Sequence, residues 1–108
     1  MLHLMNSAVI TKEGTYYARK VSQTEARETF QKLKGNGWQS YIGYQETASY
    51  VSKVLGIEVP VSRAETTINN GDIMIVCKLK YRISNPSEKG KFSPSEEDFE
   101  WLIIEYQA

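Results

Sequence analysis

Residues 38–55 constrain the fold most strongly, because a strand pattern runs into a helix pattern with one glycine between them. Trp38–Ile42 has the composition of a strand, and Gly43 follows it at once. An apolar stripe with helical spacing then runs through Ala48, Val51, Val54 and Leu55. A strand–glycine–helix junction presents backbone N–H groups and the positive end of a helix dipole. The pattern therefore predicts an anion site near Gly43.

The size and charge of the chain exclude several classes of protein. Its 108 residues are enough for one domain, here residues 1–108, with a core of its own. The formal net charge is zero, so any site for an anion must come from local patterning of charges. One cysteine cannot pair within the chain, and no segment reads as a signal peptide or a membrane span. We therefore expect a soluble, cytoplasmic protein without a membrane partner.

The remaining patterns predict a mixed sheet with helices packed against it. The predicted strands are Met1–Met5, Thr15–Val21, Trp38–Ile42, Ile73–Ile83 and Glu100–Tyr106. The predicted helices begin after Ser22, near Glu46 and at Ser93, and Ser22 with Glu25 forms a capping-box signature. Arg63–Ile68 and Ile73–Ile83 read as a hairpin around Asn69–Asp72. The fold class is α/β with α+β character: one domain, about five strands and two to three helices.

The strand Ile73–Ile83 carries a cluster of positive charges. Alternate residues from Ile73 onward form a core face, while the other face begins with Met74 and Val76 and ends with Lys78, Lys80 and Arg82. Arg63, on the predicted hairpin partner, is expected near these cations. Two interpretations remain open: a solvated sheet face protected by charges, and a binding site for an anion.

Four segments together resemble a known family. They are Leu4–Ala8, the Ile42–Ala48 junction, Val59–Arg63 and the strand from Gly71 to Arg82. In order and spacing they are similar to the domain-of-unknown-function family 1874, which includes viral type III anti-CRISPR ring nucleases. The similarity covers nearly the whole chain and looks close to a bacterial branch carried by integrative mobile elements.

The resemblance implies a function for the chain. Active members of the family are α/β homodimers that bind cyclic tetra-adenylate across their two-fold axis and cut it without a metal or another cofactor. A histidine of the family protonates the departing oxygen, and a glutamate and an arginine assist. One histidine, one cysteine and no spaced carboxylates give this chain no plausible set of metal ligands either.

The family's functional positions match this chain only in part. The predicted ligand-binding residues are Asn6, Ser7, Gly43, Thr47, Arg63, Lys80 and Arg82. Tyr44 stands at the position of the catalytic histidine, and Glu46 stands two residues later. Glu88 reaches the role of the family's glutamate only if its loop folds back. Glu46 argues against binding of an unmodified polyanion unless it turns away from the ligand or pairs with Arg82.

The tyrosine points to binding rather than efficient cleavage. Tyrosine ordinarily has a pKa near 10 and histidine near 6.5, so tyrosine is the weaker general acid at neutral pH, a role worth about 10²–10⁴-fold in rate. His3 is the one histidine of the chain and is expected at a strand end or on the surface. Tyr44 has a structural interpretation as well, as a packing or dimer contact.

The sequence is compatible with three functions. The first is a cyclic oligoadenylate binder with weak or lost nuclease activity. The second is a non-catalytic homodimer that binds a protein partner through exposed aromatic residues, with candidates at Tyr16, Tyr17, Tyr50, Trp101 and Tyr106. The third is a DNA-binding protein of a mobile element, disfavoured by the zero net charge and by the acidic run Glu96–Asp98.

Overall fold

Five strands and two α-helices make up the described part of the chain. The computed structural model describes residues 1–8, 12–64, 67–80 and 96–108. The strands are β1 (Leu2–Met5), β2 (Thr15–Val21), β3 (Trp38–Tyr41), β4 (Ile73–Leu79) and β5 (Phe99–Gln107). The helices are α1 (Gln23–Leu33) and α2 (Gln45–Leu55), and short 3-10 turns lie at Lys34–Asn36 and Glu96–Asp98.

The strands form one mixed sheet in the order β2-β5-β4-β1-β3. Strand β1 pairs in parallel with β3 and with β4, and Leu2 lies opposite Trp38 on one side and Ile73 on the other. Strand β5 is antiparallel to both β4 and β2. The carboxyl ends of β1, β3 and β4 therefore meet at one edge of the sheet, which we call the carboxyl edge. The predicted fold class, a five-stranded mixed sheet with two helices, is confirmed.

Both helices pack on the same face of the sheet. Ala26 and Phe30 of α1 and Ala48, Val51 and Leu55 of α2 are buried in one cluster with the side chains of the central strands. The predicted cap of α1 is confirmed, because the Ser22 Oγ accepts the Glu25 N–H at 3.1 Å. The carboxylate of Glu25 pairs instead with Arg19, so the second half of the predicted box is not formed.

The opposite face of the sheet is also buried along its middle. Met5, Met74, Val76, Ile104 and Tyr106 form a second apolar cluster there, together with Ile68. The second face of β4 was predicted to begin apolar, and Met74 and Val76 are indeed buried. Of the predicted basic residues, Lys78 and Lys80 are exposed, while Arg82 lies outside the described residues.

The predicted hairpin is wrong over the described residues. The turn itself exists, because the Asp72 N–H donates to the Asn69 carbonyl at 3.0 Å. Residues 61–64 and 67–69 are not strand, however, and both sides of β4 are occupied by β1 and β5. The turn signal at Asn69–Asp72 therefore misled the prediction, because a central strand that already has two partners has no free side for a third.

His3 was predicted at a strand end or on the surface, and this was wrong. Its side chain is buried, and its Nε2 lies 2.9 Å from the Asp72 Oδ2. The Asn69 N–H donates to the same oxygen, and the Met1 ammonium contacts the Asp72 Oδ1 at 2.7 Å. Burial is the largest influence on the pKa of Asp72 and raises it, but these hydrogen bonds together outweigh burial and lower the pKa. The imidazole is thus bound to Asp72 at the start of β4, away from the carboxyl edge.

Other predictions concern single side chains. Cys77 is a buried thiol as expected, and burial raises its pKa. Trp101 and Tyr106 belong to the core, whereas Tyr17 is 57 % exposed. Tyr50 stacks on Phe99, and burial raises the pKa of Tyr50 to about 12. No helix in the described ranges is long and apolar enough to cross a membrane.

Candidate functional site

The junction at Gly43 lies at the carboxyl edge, where β1 and β3 end side by side. Asn6 follows β1 directly, and Gly43 links β3 to α2. The Gly43 N–H donates to the Asn6 Oδ1 at 3.0 Å, which ties the two strand ends together. The amide of Gly43 therefore faces Asn6, and Asn6 keeps its Nδ2 group as a donor. Ligands of open α/β sheets bind at this kind of edge.

The chain after α2 returns along the outer side of β3 and brings Arg63 to the same place. The Ser40 Oγ donates to the Pro60 carbonyl at 2.6 Å, and the Ser62 N–H donates to the Ile42 carbonyl at 2.8 Å. These contacts fix the backbone before Arg63. The Arg63 Nε then donates to the Gly43 carbonyl at 3.0 Å.

Gly43 is small enough to allow this approach. A Cβ built at Gly43 would lie 3.3 Å from the Arg63 Cγ and 3.7 Å from the Arg63 Nε. The first distance is tighter than ordinary carbon–carbon contact, which lies at about 3.5–4.0 Å. Gly43 is not among the described glycines with a positive φ, so space, not backbone conformation, favours glycine here.

Tyr44 is the N-cap of α2 and lies beside Arg63. Its backbone is extended, with φ −125° and ψ 131°, and its side chain makes no capping hydrogen bond. The ring is 43 % exposed, and the guanidinium carbon of Arg63 lies 5.3 Å from its centroid. A cation within about 6 Å of a tyrosine ring is attracted to its π-face. The N–H groups of the first turn of α2 accordingly donate no hydrogen bond to the Tyr44 side chain.

The structure brings together four of the predicted site residues: Asn6, Gly43, Tyr44 and Arg63. Thr47 is buried in the first turn of α2, and Ser7 is exposed next to Asn6. Lys80 is exposed just beyond β4, and its N–H donates to the Asp98 carbonyl at 2.9 Å. Arg82 and Glu88 lie outside the described residues.

Arg63 is not near the basic residues of β4, contrary to expectation. Strands β1 and β3 lie between β4 and the segment that carries Arg63. The cations of β4 have a partner of their own, because Glu100 on β5 lies 3.9 Å from the Lys78 Nζ and 2.6 Å from the Lys20 Nζ. The hydrogen bond from Lys20 is the largest influence on the pKa of Glu100 and lowers it. This contact favours the interpretation of a solvated, charge-balanced sheet face at Lys78.

Two contacts in this part of the structure could not be predicted from the sequence. The contact of Arg63 with Gly43 depends on how residues 59–63 return along β3, and no periodicity encodes that path. The contact of Glu100 with Lys78 depends on the register of β4 and β5, which pairs these two residues directly. The charge pattern on two predicted strands was the available signal for Glu100, but the strand order was needed to use it.

Other surfaces in the described ranges are weaker candidates for a ligand site than the carboxyl edge. A groove of about 510 Å³ between β2 and α1 is lined by Tyr17, Arg19 and Thr29, among others. Its cation, Arg19, already pairs with Glu25. No group of three or more His, Cys, Asp and Glu side chains capable of holding a metal ion occurs in the parts of the chain that the structure describes.

Comparisons with known proteins place the chain among viral and bacterial relatives. A family model described as STIV B116-like matches residues 2–108. "Uncharacterized protein 26" of Sulfolobus islandicus filamentous virus (isolate Iceland/Hveragerdi) is 28% identical over 106 residues, covering 94% of this chain and 84% of the viral protein. "Uncharacterized protein YddF" of Bacillus subtilis (strain 168) is 34% identical over 59 residues, 55% of this chain and 54% of YddF. The solved structure of B116 of Sulfolobus turreted icosahedral virus covers 96% of this chain and 97% of its own, with a TM-score of 0.73 and 16% identity.

Proposed function

The chain belongs to the STIV B116-like family, and from this premise and the geometry at Gly43 we propose that it binds a cyclic oligoadenylate and cleaves it slowly or not at all. The observation that carries the proposal is the position of Arg63, whose Nε is bound to Gly43 at the carboxyl edge. Among the described residues no carboxylate pairs with Arg63. A guanidinium with its terminal nitrogens available is well suited to a phosphate oxygen pair.

The neighbouring groups support a phosphodiester as the ligand. The first-turn amides of α2 add donors and a positive dipole end close to Arg63. The Nδ2 of Asn6 adds a neutral donor, and the half-exposed Tyr44 ring adds an aromatic surface of the kind on which bases stack. Glu46 in the same helical turn weakens the attraction for anions, so we expect binding to depend on Arg63.

The same geometry argues for slow chemistry. Tyr44 is the side chain at the position of the proposed proton donor, and a phenol is a reluctant donor at neutral pH. His3 offers no replacement, since it is buried against Asp72. The protein would then retain its ligand rather than turn it over, as a sequestering protein does. A homodimer with one cyclic ligand on its two-fold axis is part of this proposal, because an isologous pair matches a symmetric ligand.

One experiment tests the proposed function directly. Purified protein in excess is mixed with labelled cyclic tetra-adenylate without metal, and binding and cleavage are followed in the same samples. We expect saturable binding at one ligand per two chains, with little or no cleavage while binding reaches equilibrium. Arg63→Ala should weaken the binding strongly but leave it measurable, whereas Lys53→Ala, on the last turn of α2, is the matched removal of a cation and should leave the binding unchanged.

Binding that is absent from wild type and from a Tyr44→His variant would refute the proposal. Duplex DNA in a parallel titration then decides between the remaining alternatives. Affinity for DNA that falls steeply with salt would indicate a DNA-binding protein. Absence of both would leave a non-catalytic interaction protein, whose partner is a protein.

A further inference from the structure

The contacts of the Tyr44 ring indicate a role other than proton donation. Its π-face receives the Arg63 guanidinium, and the same guanidinium is bound through Nε to the residue directly before Tyr44. We propose that Tyr44 is a positioning residue, which holds Arg63 ready to bind a phosphate group. This inference rests on the proposed function and assigns to Tyr44 a part in affinity rather than in cleavage.

An arginine needs such support because its side chain is long. A free arginine loses rotamer freedom when it closes on a ligand, and this loss reduces affinity. Arg63 is held at two points, by the Gly43 carbonyl at 3.0 Å and by the Tyr44 ring at 5.3 Å from its centroid. Both contacts involve the central and planar parts of the guanidinium. In the described parts of the chain Nε is the one atom of Arg63 with a hydrogen bond, so the two terminal nitrogens can address a phosphate.

The two supports are linked through the backbone. Gly43 supplies the carbonyl and Tyr44 supplies the ring, so one turn of chain between β3 and α2 sets both contacts. The absence of a side chain at Gly43 is required as well, because a Cβ there would lie 3.3 Å from the Arg63 Cγ. The ring, the carbonyl and the missing Cβ thus act on one side chain.

The role requires the ring of Tyr44 and does not require its hydroxyl. Tyr44→Phe keeps the π-face and should bind cyclic tetra-adenylate within about two-fold of wild type. Tyr44→Ala should weaken binding by about two- to five-fold, the factor that corresponds to an exposed cation–π contact. In an Arg63→Ala background, Tyr44→Ala should have no further effect, because the residue it positions is gone.

A measurement on the free protein separates this inference from the proposed ligand. The Nε–Hε group of Arg63 gives its own signal in ¹⁵N NMR spectra, assigned as the signal that Arg63→Ala removes. In wild type and Tyr44→Phe we expect this proton to exchange slowly with water, since it is bound to the Gly43 carbonyl. In Tyr44→Ala we expect exchange about two- to five-fold faster, the factor that corresponds to loss of an exposed cation–π contact. Far-UV circular dichroism of each variant confirms that the fold is retained.

The binding and exchange measurements decide whether Tyr44 positions Arg63. Equal exchange in wild type and Tyr44→Ala, or binding by Tyr44→Phe as weak as that of Tyr44→Ala, would overturn the positioning role. The Arg63 signal is also titrated with cyclic tetra-adenylate and, separately, with inorganic pyrophosphate. A response to pyrophosphate alone would refute the proposed nucleotide and sustain the role of Tyr44. A response to neither would overturn the phosphate role of Arg63, and with it this inference.

Discussion

Replacing Gly43 by alanine should weaken ligand binding without weakening the fold. The added Cβ would lie 3.3 Å from the Arg63 Cγ and 4.0 Å from its Cδ, so the side chain must retreat by a few tenths of an ångström. The bond from Nε to the Gly43 carbonyl is 3.0 Å long and would stretch toward the limit of a useful hydrogen bond. Loss of Arg63 from its position should cost binding about 1–2 kcal/mol, or roughly five- to thirty-fold in Kd.

The effect on stability should have the opposite sign. Gly43 does not adopt a positive φ, so alanine fits its backbone conformation. A glycine replaced by alanine at a compatible position gains about 0.4–1 kcal/mol, because the unfolded chain has fewer conformations to lose. We therefore expect the free energy of unfolding to stay level or to rise slightly while affinity falls.

Two assays on the same samples measure this split. Urea unfolding gives the free energy of unfolding, and fluorescence anisotropy of labelled cyclic tetra-adenylate gives Kd. Gly35→Ala is the matched control, because a Cβ at Gly35 would meet nothing within 4 Å and should leave Kd unchanged. Equal affinity of Gly43→Ala and wild type, with Arg63→Ala impaired, would refute the reasoning. A loss of stability above about 1 kcal/mol would refute the backbone part of it.

Three further predictions concern other residues. Tyr44→His should raise the single-turnover rate of cyclic tetra-adenylate cleavage by at least about ten-fold, because histidine is the better general acid near pH 7. An unchanged rate would refute the idea that cleavage is slow because the general acid is missing. Asp72→Ala should lower the free energy of unfolding by about 1–3 kcal/mol, because the buried His3 imidazole loses its hydrogen-bond partner and the partly buried contact with the Asn69 N–H is lost as well. The pKa of Asp72 in the folded protein lies below its unfolded value, so the stabilisation by its carboxylate in wild type is present above about pH 4 and is lost as the pH falls further. Urea unfolding from about pH 3 to 7 should therefore show the free energies of unfolding of wild type and Asp72→Ala converging at the acid end. A constant difference between the two proteins over this pH range would contradict the prediction. Cys77 should react with a thiol reagent only after unfolding, so labelling of the native protein as fast as that of the denatured protein would refute its burial.

The sequence patterns predicted the strands and helices well, because each pattern depends on interactions between residues close together in the sequence. The alternation of apolar residues placed β4 and β5, and the cap at Ser22 placed the start of α1. The predicted hairpin of residues 63–83 was wrong because the turn signal at Asn69–Asp72 does not determine which strands pair with β4. The order β5-β4-β1 is decided by how the central strands share apolar neighbours on both faces, which depends on residues distant in the sequence.

The candidate site was predictable in its residues but not in its contacts. Asn6, Gly43, Tyr44 and Arg63 were each named from the sequence, and the structure places them together. The bond between Arg63 and Gly43 was missed, since it joins residues 20 positions apart through an irregular segment. His3 was misplaced because nothing local announces Asp72 as its partner, 69 positions later.

The N-cap of α2 affects which residues can stand at position 44 in proteins with this fold. The N-cap at Tyr44 has an extended backbone, and its side chain, 43 % exposed, makes no capping hydrogen bond. The identity of residue 44 is therefore not fixed by a side-chain cap of α2, although its ring contacts Arg63. A substitution at position 44 would change the group beside Arg63 while leaving the backbone that begins α2 in place. Under the proposed function, we therefore expect sequences with this architecture to vary at position 44 more readily than at the buried positions of the sheet.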